Sequence, residues 1–286
     1  MGEDRLVSVE DGRVLQTWVR GEGATLVVFE AGLGASGLYW APVHHEMGTR
    51  AVAVAYERAG YGASDPGPKP RDIEQLASDL DTVIEAFPHR HLVMVGHSWG
   101  GPIVRRVAQL RTGRGKQPAG LVLVDQSDEN SSLYFSVGSH IGNHLQALLL
   151  PLMARVGLLK VATRSLLKDL SNPIREQAVV ASTTVGAAKA AANEILHVTS
   201  GLRALRARPV QLGNVPVRVL SGQKTTVLDR SSRRSLVHAH KTTARKFPNA
   251  IFIPAHRSGH MIHLSEPALV AAAIHEILDT LGRSAD

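Results

Sequence analysis

The 286-residue chain contains no cysteine. That absence excludes disulfides, thiolate metal sites and a cysteine nucleophile together, and it leaves the redox compartment open. Aromatic residues are scarce as well, at 4%, so leucine, valine and alanine must fill the interior. Long hydrophobic runs are missing too. The longest, "LQALLLPLM" at 145–153, is interrupted by Pro151 and is too short to span a bilayer. The N-terminal "MGEDRLVSVEDG" shows neither the basic nor the apolar region of a secretory signal, and Leu6 occupies the position where myristoylation favours serine or threonine. The expectation is a cytoplasmic protein with no membrane partner. A net charge of +7 raises nucleic acid as a ligand, but the lysines and arginines are dispersed and no aromatics interleave with them as stacking platforms. No nucleic-acid partner is expected.

What is present is a β/α alternation. "RLVSV" (5–9) and "RVLQTWV" (13–19) flank Asp11-Gly12, a hairpin signal. "TLVVFE" (25–30), "AVAVAYE" (51–57), "HLVMVG" (91–96) and "GLVLVD" (120–125) are nearly continuous apolar strands. Such strands are buried on both faces, as in a parallel sheet covered by helices. The 71–87 segment puts Ile73, Leu76, Leu80, Val83, Ile84 and Phe87 on one helical face, and the segment after Gly101 does the same with Ile103, Val104, Val107 and Leu110. From about 131 to 208 no strand is expected. Ile141, Leu145, Leu148, Leu149, Leu152, Val156 and Leu159 form a helical stripe there, and 174–196 reads as one further helix. Strands return at 215–221 and 250–255, and 267–281 closes the chain as a helix. A helical block thus interrupts a regular α/β pattern.

Two glycine motifs compete for the chemistry. Gly32-Leu33-Gly34-Ala35-Ser36-Gly37 follows a strand and matches a dinucleotide fingerprint, with Glu57 near the ribose position. That reading makes the chain an NAD(P)-binding oxidoreductase. Against it, the segment after Gly37 holds Pro42 and is a poor helix for seating a pyrophosphate. Two strands also precede the motif. The second motif, Gly96-His97-Ser98-Trp99-Gly100, lies between strand and helix. There a serine must adopt a strained turn, and the glycines on either side let strand and helix approach closely. The strained turn aims the hydroxyl into a cleft at the C-terminal end of the sheet.

Four segments in order resemble the α/β-hydrolase superfamily. "VGHSWGG" resembles its nucleophile elbow, and "FEAGLGAS" its oxyanion loop after the third strand. "YERAGYGASD" is similar to the loop after the fourth strand, with Glu57 in place of the usual aspartate, and "SGHMIHLSEP" to the histidine loop. The resemblance covers most of the chain. It implies a mostly parallel eight-stranded sheet flanked by helices, with a core at 1–130 and 209–286 and a helical cap at 131–208 inserted after the sixth strand.

It also implies roles. Ser98 is the nucleophile, with the backbone N–H groups of Leu33 and Trp99 forming an oxyanion hole. His260 is the base, with His263 as its rival, while His256-x-x-x-His260 has metal-ligand spacing without a suitable nearby carboxylate. The acid departs from the common pattern. The seventh strand ends "VLSGQKTT", with threonine where most members carry aspartate. Asp125, closing the sixth strand, is therefore the expected acid, with Asp229 and then Asp128 as alternatives. Gly32, Gly34, Trp40, Tyr134 and Phe135 are expected around the substrate. His97 is read as structural, and the pairs His44/His45, His140/His144 and His238/His240 as surface residues.

The expected activity is hydrolysis of a carboxylic ester, or a related acyl bond, of a small to medium apolar molecule through an acyl-enzyme. No metal or cofactor is expected. A lyase using the same residues, or a receptor that binds without turnover, remains the alternative.

Overall fold

Burial on both sides of the sheet follows from the apolar strands. The computed structural model describes residues 1–283 apart from 10, 49 and 228. In β3 (Thr25–Glu30), Leu26 and Val28 pack into one hydrophobic cluster and Val27 and Phe29 into another on the opposite side. Side chains alternate along a strand, so apolar residues at every position require a helical layer on each face.

The other strands are β1 (Glu3–Ser8), β2 (Val14–Arg20), β4 (Val52–Tyr56), β5 (His91–His97), β6 (Gly120–Val124), β7 (Val217–Gly222) and β8 (Ala250–Ala255). They form one sheet in the order β1-β2-β4-β3-β5-β6-β7-β8. The β1–β2 and β2–β4 pairs are antiparallel and all the others parallel. Helices α1 (Ala41–Glu46), α2 (Ile73–Glu85) and α3 (Gly100–Gly113) fall between strands. α2 and α3 supply one cluster, and α1 supplies the other.

Residues 131–208 contain no strand among the described residues. They hold a 3-10 turn at Ser132–Tyr134 and helices α4 (Val137–Arg155), α5 (Leu158–Leu166), α6 (Asn172–Thr183) and α7 (Val185–Ala207). The single helix expected over 174–196 is two, α6 and α7. Thr184 is extended between them and its side chain accepts a hydrogen bond from Ala187 N–H at 3.0 Å, capping α7. A hydroxyl residue favours that cap over helix continuation. The apolar stripe of α4 also lies differently from a core-facing stripe. Its half-buried face is Asn143, Ala147, Leu150 and Ala154, turned toward α7, whereas Ile141, Leu145, Leu148 and Leu152 are exposed. Small residues on α4 and the alanines of α7 let the two backbones approach, and the large side chains are left outside.

After β7 come α8 (Arg230–Lys246), the short α9 (Ile262–Ser265) and α10 (Pro267–Arg283). Residues 284–286 of the expected core segment lie outside the described residues. No single described helix is long and apolar enough to cross a membrane.

Candidate active site

Ser98 stands directly after β5, with φ at 52°. The flanking glycines are required by contact: a Cβ on Gly96 would lie 2.5 Å from Gly100 O, and one on Gly100 2.5 Å from Glu30 O. The turn is pinned from the next strand. Ser98 N–H donates to Val124 O at 3.1 Å, and Ser98 O accepts from Ser127 N–H at 2.8 Å. Asp125 follows β6 in the same left-handed region, with φ at 42°. Among the described residues these are the two non-glycine positions with positive φ. Each such conformation costs about 1–3 kcal/mol and persists only where its surroundings over-determine it.

Asp125 is buried, and its carboxylate is saturated. Oδ2 accepts from His260 Nδ1 at 2.7 Å, Oδ1 accepts from Gly222 N–H at 2.9 Å, and Arg233 Nη1 reaches both oxygens at 2.7 Å. Burial alone would raise its pKa. The hydrogen bond and charge of His260 outweigh burial, helped by His240 and Arg233, and hold Asp125 well below the usual carboxylate range. An ionised Asp125 fixes the proton of His260 on Nδ1 and leaves Nε2 as the acceptor. Ser98 and His260 line the same cavity without a hydrogen bond between them among the described residues. Contacts of this kind often tighten only when substrate binds.

The alternative acids are engaged elsewhere. Asp229 accepts from Thr226 N–H ahead of α8, and Asp128 accepts from Gln126 Nε2 at 2.8 Å and Thr243 Oγ1 at 2.6 Å. His263 is buried behind the site, 4.2 Å in ring centroids from His97 and 4.8 Å from Trp40. Burial pushes its pKa down to about 3. His97 is also buried and kept neutral, and its Nε2 lies 3.0 Å from His260 O, steadying the histidine loop. His256 is exposed, and no cluster of three metal-ligating side chains occurs among the described residues.

The loop after β3 reaches over the nucleophile. A Cβ on Gly32 would lie 3.2 Å from Ser98 Cβ, and Gly34 adopts φ of 72°. Buried Arg58 donates at 2.6 Å to both Ala31 O and Gly32 O, which sets the loop's height. The N–H groups of Leu33 and Trp99 have no protein acceptor among the described residues. The same loop leaves no seat for a pyrophosphate. Gly37 opens a 3-10 turn, not a long helix, and its N–H donates to Glu57 Oε2 at 3.1 Å. Glu57 also accepts from the Ser36 hydroxyl, and burial pushes its pKa up to about 7.

The cavity above Ser98 measures about 450 Å³. Gly32, Leu33, Gly34 and Met261 surround the two catalytic candidates, and Leu150, Leu159, Ala162, Leu166, Ala188 and Ala191 roof it from α4, α5 and α7. Gln146, Thr163, Ser182 and Tyr39 are its polar lining. The aromatic residues expected there lie elsewhere. Trp40 is fully buried against Phe29, and the Trp99 ring packs in the other core cluster, leaving only its backbone at the site. Tyr134 and Phe135 pack against the core ahead of α4, Phe135 under Arg206 of α7 at 4.0 Å. Scarce aromatics go to the core, where their large area is worth most.

Two histidines read as surface residues are buried. His44 Nε2 sits 3.0 Å from Ala53 O, and His240 bridges Ser221 Oγ at 2.8 Å and Gln126 O at 2.7 Å. Arg233 is the residue that sequence reasoning missed. Its signal was an arginine in the first turn of the helix after a seventh strand that lacks an acid.

The Alpha/beta hydrolase family model matches residues 27–273. An uncharacterized protein of Bacillus subtilis, YqjL, is 24% identical over 271 residues, covering 93% of this chain and 89% of its own. The epoxide hydrolase CorEH superposes with a TM-score of 0.76 at 15% identity, over 98% of this chain and 99% of its own. A malate-bound esterase from Thermogutta terrifontis gives 0.72 at 19% identity, with the same two coverages.

Proposed function

The protein belongs to the alpha/beta hydrolase family, and from that premise we propose that it is a serine hydrolase cleaving a carboxylic ester of a small to medium apolar substrate. Ser98 Oγ attacks the carbonyl carbon while His260 Nε2 takes its proton, and Asp125 stabilises the resulting imidazolium. The oxygen that gains charge is met by the N–H groups of Leu33 and Trp99. In other hydrolases the loss of one such donor costs about 3–4 kcal/mol. Collapse of the tetrahedral intermediate releases the alcohol, protonated by His260, and leaves an acyl group on Ser98. Water, deprotonated by His260, then frees the acid.

One observation carries the reading: the 2.7 Å contact of Asp125 with His260 at the wall of the cavity that holds Ser98. The neighbouring epoxide-hydrolase fold does not transfer its chemistry, because such enzymes attack with a carboxylate where this chain has Ser98. A roof of leucine and alanine over about 450 Å³ suits a modest apolar acyl or alcohol group.

Steady-state hydrolysis of short and medium p-nitrophenyl esters tests the proposal. Wild type should turn over continuously, and Ser98→Ala should lose about 10⁴-fold or more in kcat. Release of no more than one equivalent of p-nitrophenol would favour a receptor. No release from any ester of the series would move the assignment toward lyase chemistry.

A further inference from the structure

We propose that the outer face of α4 and α5 docks on an anionic lipid bilayer. Among the described residues, ten of the fifteen large hydrophobic side chains left exposed fall between 137 and 166. Ile141, Leu145, Leu148 and Leu152 follow one another at four-, three- and four-residue steps, which stacks them on one side of α4. Val156 and Val161, 70% and 65% exposed, continue the patch into α5. A monomer in water rarely keeps so large a contiguous apolar surface uncovered.

Charge selects the occupant. From 130 to 168 the chain has no aspartate or glutamate, while Arg155, Lys160, Arg164 and Lys168 border the apolar residues. Arg164 pairs with Glu176; the other three have no ion-pair partner among the described residues. A second copy would bring the same cations against one another, and the net charge of +7 adds to that repulsion. Anionic headgroups instead neutralise them while the long side chains snorkel from the apolar layer.

Shape agrees. α4 and α5 meet at a bend of 99°, so they form a flat angle suited to lying in an interface, not a rod crossing it. The bend, which breaks the one apolar helix pair of spanning length among the described residues, places no limit on surface docking. The inner faces of the same two helices roof the cavity through Leu150 and Leu159, so docking sets that cavity beside the acyl layer.

Flotation of the full chain with vesicles decides the matter. Equimolar phosphatidylcholine and phosphatidylglycerol should carry wild type upward, at least tenfold more tightly than pure phosphatidylcholine, with added salt weakening the interaction. Lys160→Ala with Lys168→Ala should weaken binding by about fivefold per lysine. Leu148→Glu with Leu152→Glu should abolish it. Because both leucines point outward, circular dichroism should report an unchanged fold for that variant. Ser98→Ala should float like wild type, so docking and the hydrolase reading fail separately.

Three results would overturn the proposal. Wild type could stay at the bottom with both vesicles, or bind both compositions equally. Light scattering could instead give twice the 30.7 kDa chain mass, reduced to one chain by Leu148→Glu with Leu152→Glu, which would make the face a self-association surface.

Discussion

The floor and the roof of the cavity are built to different standards. On the floor, Ser98 and Asp125 hold left-handed backbone conformations at the ends of adjacent strands, and every oxygen of Asp125 has a partner. In the roof, α4 has no buried residue over nineteen positions. The roof is tied down at few polar points, chiefly Glu194 of α7 between Arg58 and Arg71 at 2.9 and 2.8 Å. Strain and buried charge need dense, complete surroundings. The outer face of α4 carries neither, and it can vary in sequence at little cost to the fold.

The largest expected test of that contrast is on the floor. Asp125→Asn should lower kcat about 10⁴-fold, since it favours the wrong tautomer of His260. Asp229→Asn, made ahead of α8, should stay within a few-fold of wild type in the same ester assay. Next is Arg233→Met. Removing one member of a buried ion pair costs about 3 kcal/mol, which urea unfolding would measure.

Glu57 gives a smaller effect with a definite sign. Its folded pKa is raised to about 7, so between the ordinary carboxylate value and 7 the native state retains a proton that the unfolded chain releases. Stability should therefore fall as pH rises through that window, by up to about 3 kcal/mol, and level off above it. Glu57→Gln should flatten the dependence in denaturation curves compared at about pH 5 and about pH 8. The smallest effect belongs to the roof: Leu145→Ser should change thermal stability by no more than about 0.5 kcal/mol. A larger loss would mean the outer face of α4 carries packing after all.

The sheet was readable because its strands are continuous apolar runs whose double burial admits one architecture. The elbow was readable because strand, glycines and helix are contiguous. What eluded sequence reasoning depends on contacts distant along the chain. Arg233 meets Asp125 across 108 residues, and nothing local distinguishes it from Arg234, which is exposed. The aromatic residues were misplaced for a related reason, because periodicity identifies apolar faces without saying which cavity or core they meet. The break at Thr184 reflects a cap competing with helix continuation, a choice of small energy.

Only five residues separate Asp125 from the helical segment that begins at 131. That joint is clamped: Gln126 O accepts from His240, Asp128 from Thr243, and Glu129 binds Arg105 through both carboxylate oxygens at 3.0 and 2.6 Å. These contacts fasten the start of the helical segment to α3 and α8 directly behind Asp125. The joint acts as a fixed anchor for the helical segment, while Arg58, shared between Gly32 O and Glu194 of α7, ties the far side of that segment to the loop over Ser98.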